Sequence, residues 1–551
     1  MPNSRDKSLH KANSTLRMLV RLILIPIGIG LPLSVAICFV QWLQEEKTRL
    51  YFIGLDGCCF YIATALAGFV ALGIGIVHFK PRKRFLLISA GVVAAVFFGA
   101  SKLLRIDGYN GDRTPRITWR WKPKAEHNIK AYLTSRKLTE MELSVENVFR
   151  PTTKDFPEIH GVHRTARIDS LDLETNWSKV PPTLLWRHPV GLGWSGFAVV
   201  GHAAVTLEQR DEFECVVCYD VRTGVELWCH PEAARFNHEH GDGPRSTPTI
   251  REGRVYSMGA TGILTCVDFS TGELHWRQSV FADPTSQNLI FGMSGSPLVV
   301  DGLVVVTPGA GVGAAAIAYD VDTGVIVWSS GDDPASYASP VAATLLGTKQ
   351  ILNFNGAGLR SLGLDGQPLW FQPWVTQGDS RVNVAQPMVV SDNLHAEDGV
   401  KVLISSGYDK GTAMLKIFYA DDRWSSEVLW ESKLLKSKLS SFVIHENFAY
   451  GFDNGILACI DLTNGKRSWK AGRYGHGKML LVKGRLLIQA ESGEVVLVAA
   501  TPTAHLELAR FVALTSKTWN EMAVAGDVLV VRNDCEAAAI RLPVIERTTL
   551  N

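Results

Sequence analysis

Four stretches of this 551-residue chain are copies of one pattern: Asp220-Val-Arg-Thr-Gly224-Val-Glu-Leu-Trp228, Asp268-Phe-Ser-Thr-Gly272-Glu-Leu-His-Trp276, Asp320-Val-Asp-Thr-Gly324-Val-Ile-Val-Trp328 and Asp461-Leu-Thr-Asn-Gly465-Lys-Arg-Ser-Trp469. Gly follows Asp by four residues and Trp by eight each time. A fixed repeat in a chain of this length builds a stacked or circular array, not one irregular core. An apolar run precedes each Asp, as in Val216-Val-Cys-Tyr219 and Leu264-Thr-Cys-Val267, which suits a buried strand. The Asp carboxylate can accept backbone N–H groups two or three residues on and open a turn. The Gly supplies a positive φ, and the Trp ring fills space between sheets. Each copy therefore reads as a β-hairpin with an aromatic wedge.

Degenerate copies fill the gaps. Leu364-Asp-Gly-Gln-Pro-Leu-Trp370 has a shortened turn, and Asp422 to Trp430 keeps the eight-residue step with Ser425 and Ser426 at the turn positions. A second element marks where each unit begins: Trp194-Ser-Gly-Phe197, Arg245-Ser-Thr-Pro248, Ser294-Gly-Ser-Pro297, Tyr337-Ala-Ser-Pro340, Val384-Ala-Gln-Pro387, Leu439-Ser-Ser-Phe442, His476-Gly-Lys-Met479 and Trp519-Asn-Glu-Met522. The seven steps from Phe197 to Met522 average about 46 residues, the size of a four-stranded propeller blade. The last unit lacks room for a fourth strand, and Thr183-Leu-Leu-Trp186-Arg-His-Pro, just before the first unit, is expected to supply it and close the ring. The fold expected is all-β, an eight-bladed β-propeller over 181–542 with a tail at 543–551.

The N-terminal part has different chemistry. Apolar runs at about 22–42, 58–79 and 85–104 are each long enough to span a bilayer as a helix. Arg5, Lys7, Lys11, Arg17 and Arg21 precede the first run, and Lys80-Pro-Arg-Lys-Arg84 separates the second from the third. The positive-inside rule then predicts a multi-pass anchor over 1–105 in the cytoplasmic (inner) membrane, with the N-terminus cytoplasmic and the propeller outside, in the periplasm or its equivalent. A cleaved signal peptide is the alternative for the first run. Residues 106–180 form a linker with one short helix at Ile129–Leu143, and Asp155-Phe-Pro-Glu-Ile-His-Gly161 is expected to pack on the propeller rim. The formal net charge of +2 has no basic stripe behind it, so nucleic acid is not an expected partner.

Cys218, Cys266 and Cys459 each stand two residues before a repeat Asp, where the third copy has Ala318. A site filled by Cys or Ala is a small buried slot. Cys215 and Cys218 are three apart and point to opposite faces of a strand. A metal site built from them with Cys229, His238 and His240 is the alternative to core and loop residues. The blade starts are better ligand candidates, because innermost strands line the channel of a propeller. Ser195, Arg245, Arg473, His476, Trp519 and Asn520 lie at or beside those starts and are candidate ligand or partner residues of the funnel. Bonding to the backbone to hold the ring together is the competing role. No catalytic set and no metal site follow from spacing.

The repeat, with Gly241-Asp-Gly-Pro-Arg-Ser-Thr-Pro-Thr, Met258-Gly-Ala-Thr-Gly-Ile-Leu-Thr-Cys266, Tyr450-Gly-Phe-Asp-Asn-Gly455, Gly472-Arg-Tyr-Gly-His-Gly477 and Lys517-Thr-Trp-Asn520, resembles the pyrroloquinoline-quinone-like (PQQ-like) β-propeller repeat proteins, in their membrane-attached bacterial subgroup. The resemblance covers about residues 155–542 and implies eight blades. It leaves two functional classes. One is a non-catalytic assembly platform that docks other membrane or periplasmic proteins, with lipid contacted only by the three spans. The other is a PQQ-dependent dehydrogenase with calcium, or a propeller holding a small ligand. Enzymes of the second class stack the quinone beneath a disulfide of adjacent cysteines, whereas the adjacent pair here, Cys58-Cys59, falls in a span. The platform, with no cofactor, is the reading favoured.

Overall fold

The computed structural model describes residues 102–111, 114–136, 147–281, 288–309, 311–376, 381–390 and 399–545. The three apolar runs lie outside the described residues except for Lys102–Leu104, where a short helical turn gives way to a strand. Among the described residues, no helix is long and apolar enough to cross a membrane. The chain divides into two compact units, residues 1–107 with 117–122 and residues 108–116 with 123–551. A two-stranded hairpin, Leu104–Tyr109 with Pro115–Trp119, runs through both.

The larger unit is a ring of eight sheets, each with four antiparallel strands and the seventh with a further short parallel one. Blade 1 is Ala198–Val200, Ala203–Arg210, Phe213–Asp220 and Glu226–Glu232, from innermost to outermost strand. The innermost strands of blades 2 to 8 are Thr249–Arg251, Leu298–Val300, Val341–Leu345, Met388–Val389, Val443–His445, Lys478–Val482 and Ala523–Ala525. In every blade but the seventh, that strand starts on the residue after the four-residue start motif; in blade 7 it starts two residues earlier, at Lys478, the third residue of the motif. The outermost strand of blade 8 is Thr183–Pro189, paired antiparallel with Glu536–Arg541. The N-terminal strand thus closes the ring as expected.

The repeat acts between blades. Gly224 (φ 70°) lies under the Trp186 ring, and a Cβ there would come 2.6 Å from it. Gly272, Gly324, Gly366 and Gly465 lie in the same way under Trp228, Trp276, Trp328 and Trp430, each ring coming from the preceding blade. Each indole N–H donates to a turn carbonyl of the next blade: Trp186 to Val221 (2.7 Å), Trp228 to Phe269 (3.0 Å), Trp276 to Val321 (3.1 Å), Trp328 to Leu364 (2.8 Å), Trp430 to Leu462 (3.0 Å) and Trp469 to Thr501 (2.9 Å). The small slot sits opposite the ring within its own blade, as Cys218 faces Trp228 and Ala318 faces Trp328. The seam between blades 4 and 5 departs from this. Strands Gly411–Ala420 and Arg423–Ser432 are joined by Asp421-Asp422 alone, both at positive φ. Ser425 and Ser426 are therefore strand residues, not turn residues. With no Gly-bearing turn to cover, Trp370 donates to Gln350 Oε1 of its own blade (2.9 Å).

The linker helix is Ala125–Arg136, starting four residues before the expected Ile129; residues 137–146 lie outside the described set. It buries Ile129 and stacks Tyr132 on His188 with ring centroids 4.7 Å apart. Asp155–Gly161 does not lie on the rim. Residues 155–168 enter the central channel, because their polar groups find partners there on seven blades. Phe156 exchanges backbone bonds with Val199 of blade 1, Pro157 O accepts from Ile250 N of blade 2, and Arg167–Ile168 pairs parallel with Leu481–Val482 of blade 7. Arg164 and His160 reach blades 3, 4, 5 and 8, as described next.

Candidate functional site

At mid-channel the third residues of the start motifs bond one another. Gly196 N donates to Thr247 Oγ1 (3.3 Å), Thr247 N to Ser296 Oγ (2.9 Å), Ser296 N to Ser339 Oγ (2.9 Å) and Gln386 N to Ser441 Oγ (3.1 Å). Lys478 donates to Leu439 O (2.7 Å) and pairs with Glu521 (2.7 Å). Onto this belt the inserted loop sets two charged side chains. Arg164 pairs with Glu158 (2.7 Å) and donates to Ser296 O (3.2 Å), Pro340 O (2.7 Å), Thr249 Oγ1 (3.3 Å) and Pro297 O. His160 Nδ1 meets Gln386 Oε1, and its Nε2 lies 3.4 Å from Glu521. His160, His163, Arg164 and Ala166 all hold positive φ, a cost of about 1–3 kcal/mol each that persists only where surrounding contacts fix the backbone. Burial pushes Glu521 up, but Lys478 and then His160 pull harder and hold it down at about 2.

The other face of the ring, where the strands begin, carries the funnel. Here the hairpin tip is seated. Gly111 N donates to Glu491 Oε1 (2.8 Å), Lys438 Nζ to Gly111 O (2.9 Å), and Lys517 Nζ to Tyr109 O (2.8 Å) and His240 O (3.0 Å). A side chain at position 111 would overlap the His476 ring. Lys517 Nζ also lies 4.0 Å from the Trp519 ring centre and 4.6 Å from that of Trp194, the cation–π arrangement. Burial, ahead of the charges around it, lowers Lys517 to about 8.

Of the residues singled out from sequence, His476 and Trp519 meet here: His476 N and Trp519 Nε1 each donate to the Glu491 carboxylate (2.9 Å both). Arg245 sits over Phe236 at 4.6 Å, donates to Gly241 O (2.6 Å) and Gly243 O, and is lowered to about 10 by burial. Ser195 and Asn520 are fully buried and bond the backbone: Ser195 Oγ accepts from Leu207 N (3.2 Å), and Asn520 Nδ2 donates to Ser195 O (2.8 Å). Arg473 is exposed at the end of the outermost strand of blade 6, three residues before His476. Lys478, Glu521, Gln386 and Lys517 were missed. The signal for three of them was present, since each is the third residue of a start motif.

His238 and His240 are half-buried against Phe291, with centroids 5.1 and 5.7 Å away, not solvated loop residues. Burial, then Arg245, lowers His238 to about 4. Among the described residues no group of three or more His, Cys, Asp or Glu side chains is arranged to hold a metal, and the six described cysteines are free thiols.

The class this geometry defines is a closed eight-bladed propeller with its channel filled by its own chain. A family model described as outer membrane protein assembly factor BamB matches residues 212–471, and together with the blades it fits a PQQ-like repeat protein. Among solved structures, BamB from Moraxella catarrhalis is 14% identical with a TM-score of 0.48, the match covering 66% of this chain and 100% of that one. A europium-containing methanol dehydrogenase is 13% identical (TM-score 0.43; 71% and 98% covered). The quinohemoprotein alcohol dehydrogenase ADHIIG from Pseudomonas putida HK5 is 12% identical (TM-score 0.40; 72% and 81% covered). No curated protein matches.

Proposed function

We propose that this protein is a membrane-anchored, extracytoplasmic docking platform that works through the outside of its propeller and not through a central pocket. The observation that carries this is the filled channel: residues 155–168 occupy its middle and Tyr109–Gly111 covers its mouth. A flat quinone on the axis would have to displace the Glu158–Arg164 pair and the His160–Glu521–Lys478 chain, groups already bonded to one another, so these residues do not fit such a cofactor. The name of the matched family, an assembly factor, points the same way. Outer strands offer edges for a partner. That of blade 3, Ile326–Ser330, follows Val325 and opens with Ile326 and Val327, all three more than half exposed.

Two measurements test the proposal. Titrating the full chain with PQQ and calcium should change neither its absorbance nor its melting temperature; saturable change in both would favour the dehydrogenase instead. A photocrosslinker at Ile326 should capture one defined partner in the native membrane, and a crosslinker at exposed Lys349 of blade 4 should not. Equal or no capture at both positions would count against docking at the blade 3 edge.

A further inference from the structure

The hairpin Leu104–Tyr109/Pro115–Trp119 reverses the usual patterning of a small sheet. Its polar side chains bond one another: Arg105 Nε to Asp107 Oδ1 at 2.7 Å, and Thr118 Oγ1 to Asp107 Oδ2 at 2.6 Å. Its large apolar side chains face out. Ile106 is 57% exposed, Ile117 58%, Trp119 43% and Trp121 63%, with Leu103 at 47% beside them. The alternation along Pro115–Trp119 puts Ile117 and Trp119 on one face. The two indoles stack on each other, centroids 4.6 Å apart and planes at 17°. Single exposed apolar residues need no explanation, but five together with two stacked tryptophans mark a surface that meets something.

What it meets follows from the chain just before it. The apolar run 85–104 is 20 residues long, the length a hydrocarbon core requires, and it ends on the first residue of the hairpin. A sheet starting where such a run ends stands at the level of lipid headgroups, where Trp is favoured because its ring is apolar and its N–H is polar. Arg120, Lys122 and Lys124 follow, all exposed and able to reach phosphates.

We infer that the Trp119–Trp121 face of this hairpin lies in the headgroup layer of the bilayer, as an interfacial foot beyond the third span. This rests on the membrane-anchor part of the reading above. The test uses the full chain in vesicles of phosphatidylcholine and phosphatidylglycerol, plain or brominated at different acyl depths. Emission of the W119F/W121F variant is subtracted from that of the wild type, with circular dichroism confirming equal folding. The difference emission should be blue-shifted and lose most of its intensity in brominated lipid, most strongly with the shallowest bromines. Difference emission that is unchanged by bromine overturns the inference; if it is also shielded from aqueous acrylamide, a protein partner covers the face instead. Carbonate extraction runs in parallel. Release of the chain by carbonate overturns the anchor along with the foot, whereas retention without quenching overturns the foot alone.

Discussion

The middle of the channel and its mouth are filled by different means. The inserted loop is held by backbone pairing to three blades and, at its centre, by two buried charged side chains: one arginine with a carboxylate and four other acceptors, and one histidine between an amide and a carboxylate. The hairpin tip is held chiefly through backbone groups at Tyr109 and Gly111, gripped by Lys517, Lys438 and Glu491, with one half-exposed ion pair, Arg116–Asp534 (3.2 Å), beside them. Removing one partner of a buried charge pair strands the other, while a bond lost to a neutral carbonyl at the channel mouth leaves no stranded charge. The loop is thus part of the core of the ring, and the tip is expected to be the less costly of the two to displace.

Arg164→Met should break this contrast most visibly. It strands Glu158 and should cost about 3–5 kcal/mol, read as a lower midpoint in denaturant. The Glu158→Gln/Arg164→Met double variant should recover part of that loss. If Arg164→Met proves neutral, the loop is not core. Gly272→Ala tests the wall for scale: with φ at 73° and Trp228 2.6 Å from a Cβ, it should cost about 1–3 kcal/mol. Gly111→Ala should leave the melting temperature nearly unchanged but expose Trp519 and Trp194 to acrylamide, since only the tip is expelled. A large fall in stability would make the tip core as well.

Two pH effects sharpen the comparison. Glu521 is held at about 2, below its ordinary 4.5. Its contribution is therefore complete above pH 4.5 and lost as pH falls through about 2, and Glu521→Gln should flatten stability across that window. Lys517 is lowered from 10.5 to about 8. Between these values the unfolded chain binds more protons, so this group makes stability rise with pH there. Lys517→Met should remove that small slope, measured by melting at pH 8 to 10.

The eight blades, the start of every inner strand but the seventh and the closing strand were legible in the sequence because they depend on local patterns repeated many times. The partner of each Gly was not. Gly224 and Trp228 belong to one repeat, yet Gly224 packs under Trp186, a contact that exists only once blades are set side by side. The eight-residue step from Asp422 to Trp430 misled because Asp422 already ends a two-residue turn and a longer strand, Arg423–Ser432, follows it. Residues 155–161 looked like rim because Pro157, His160 and Gly161 carry no periodicity, and what orders them is contact with blades 1, 2, 5 and 8, far along the chain. Among the candidate site residues, the first positions of the start motifs drew notice for their size and charge. The third positions, which line the channel, are mostly small and drew none.

The inserted loop has a consequence for the order of folding. Its binding site is assembled from strands as distant in sequence as Val199 and Glu521, so no partial chain offers it. The loop precedes every blade yet finds its partners only when the circle is complete. Pairing over such separations is slow, and until then the loop remains open to proteases. Resistance of the Arg164 segment to digestion would therefore rise late, together with ring closure, and would time the last step by which the protein becomes itself.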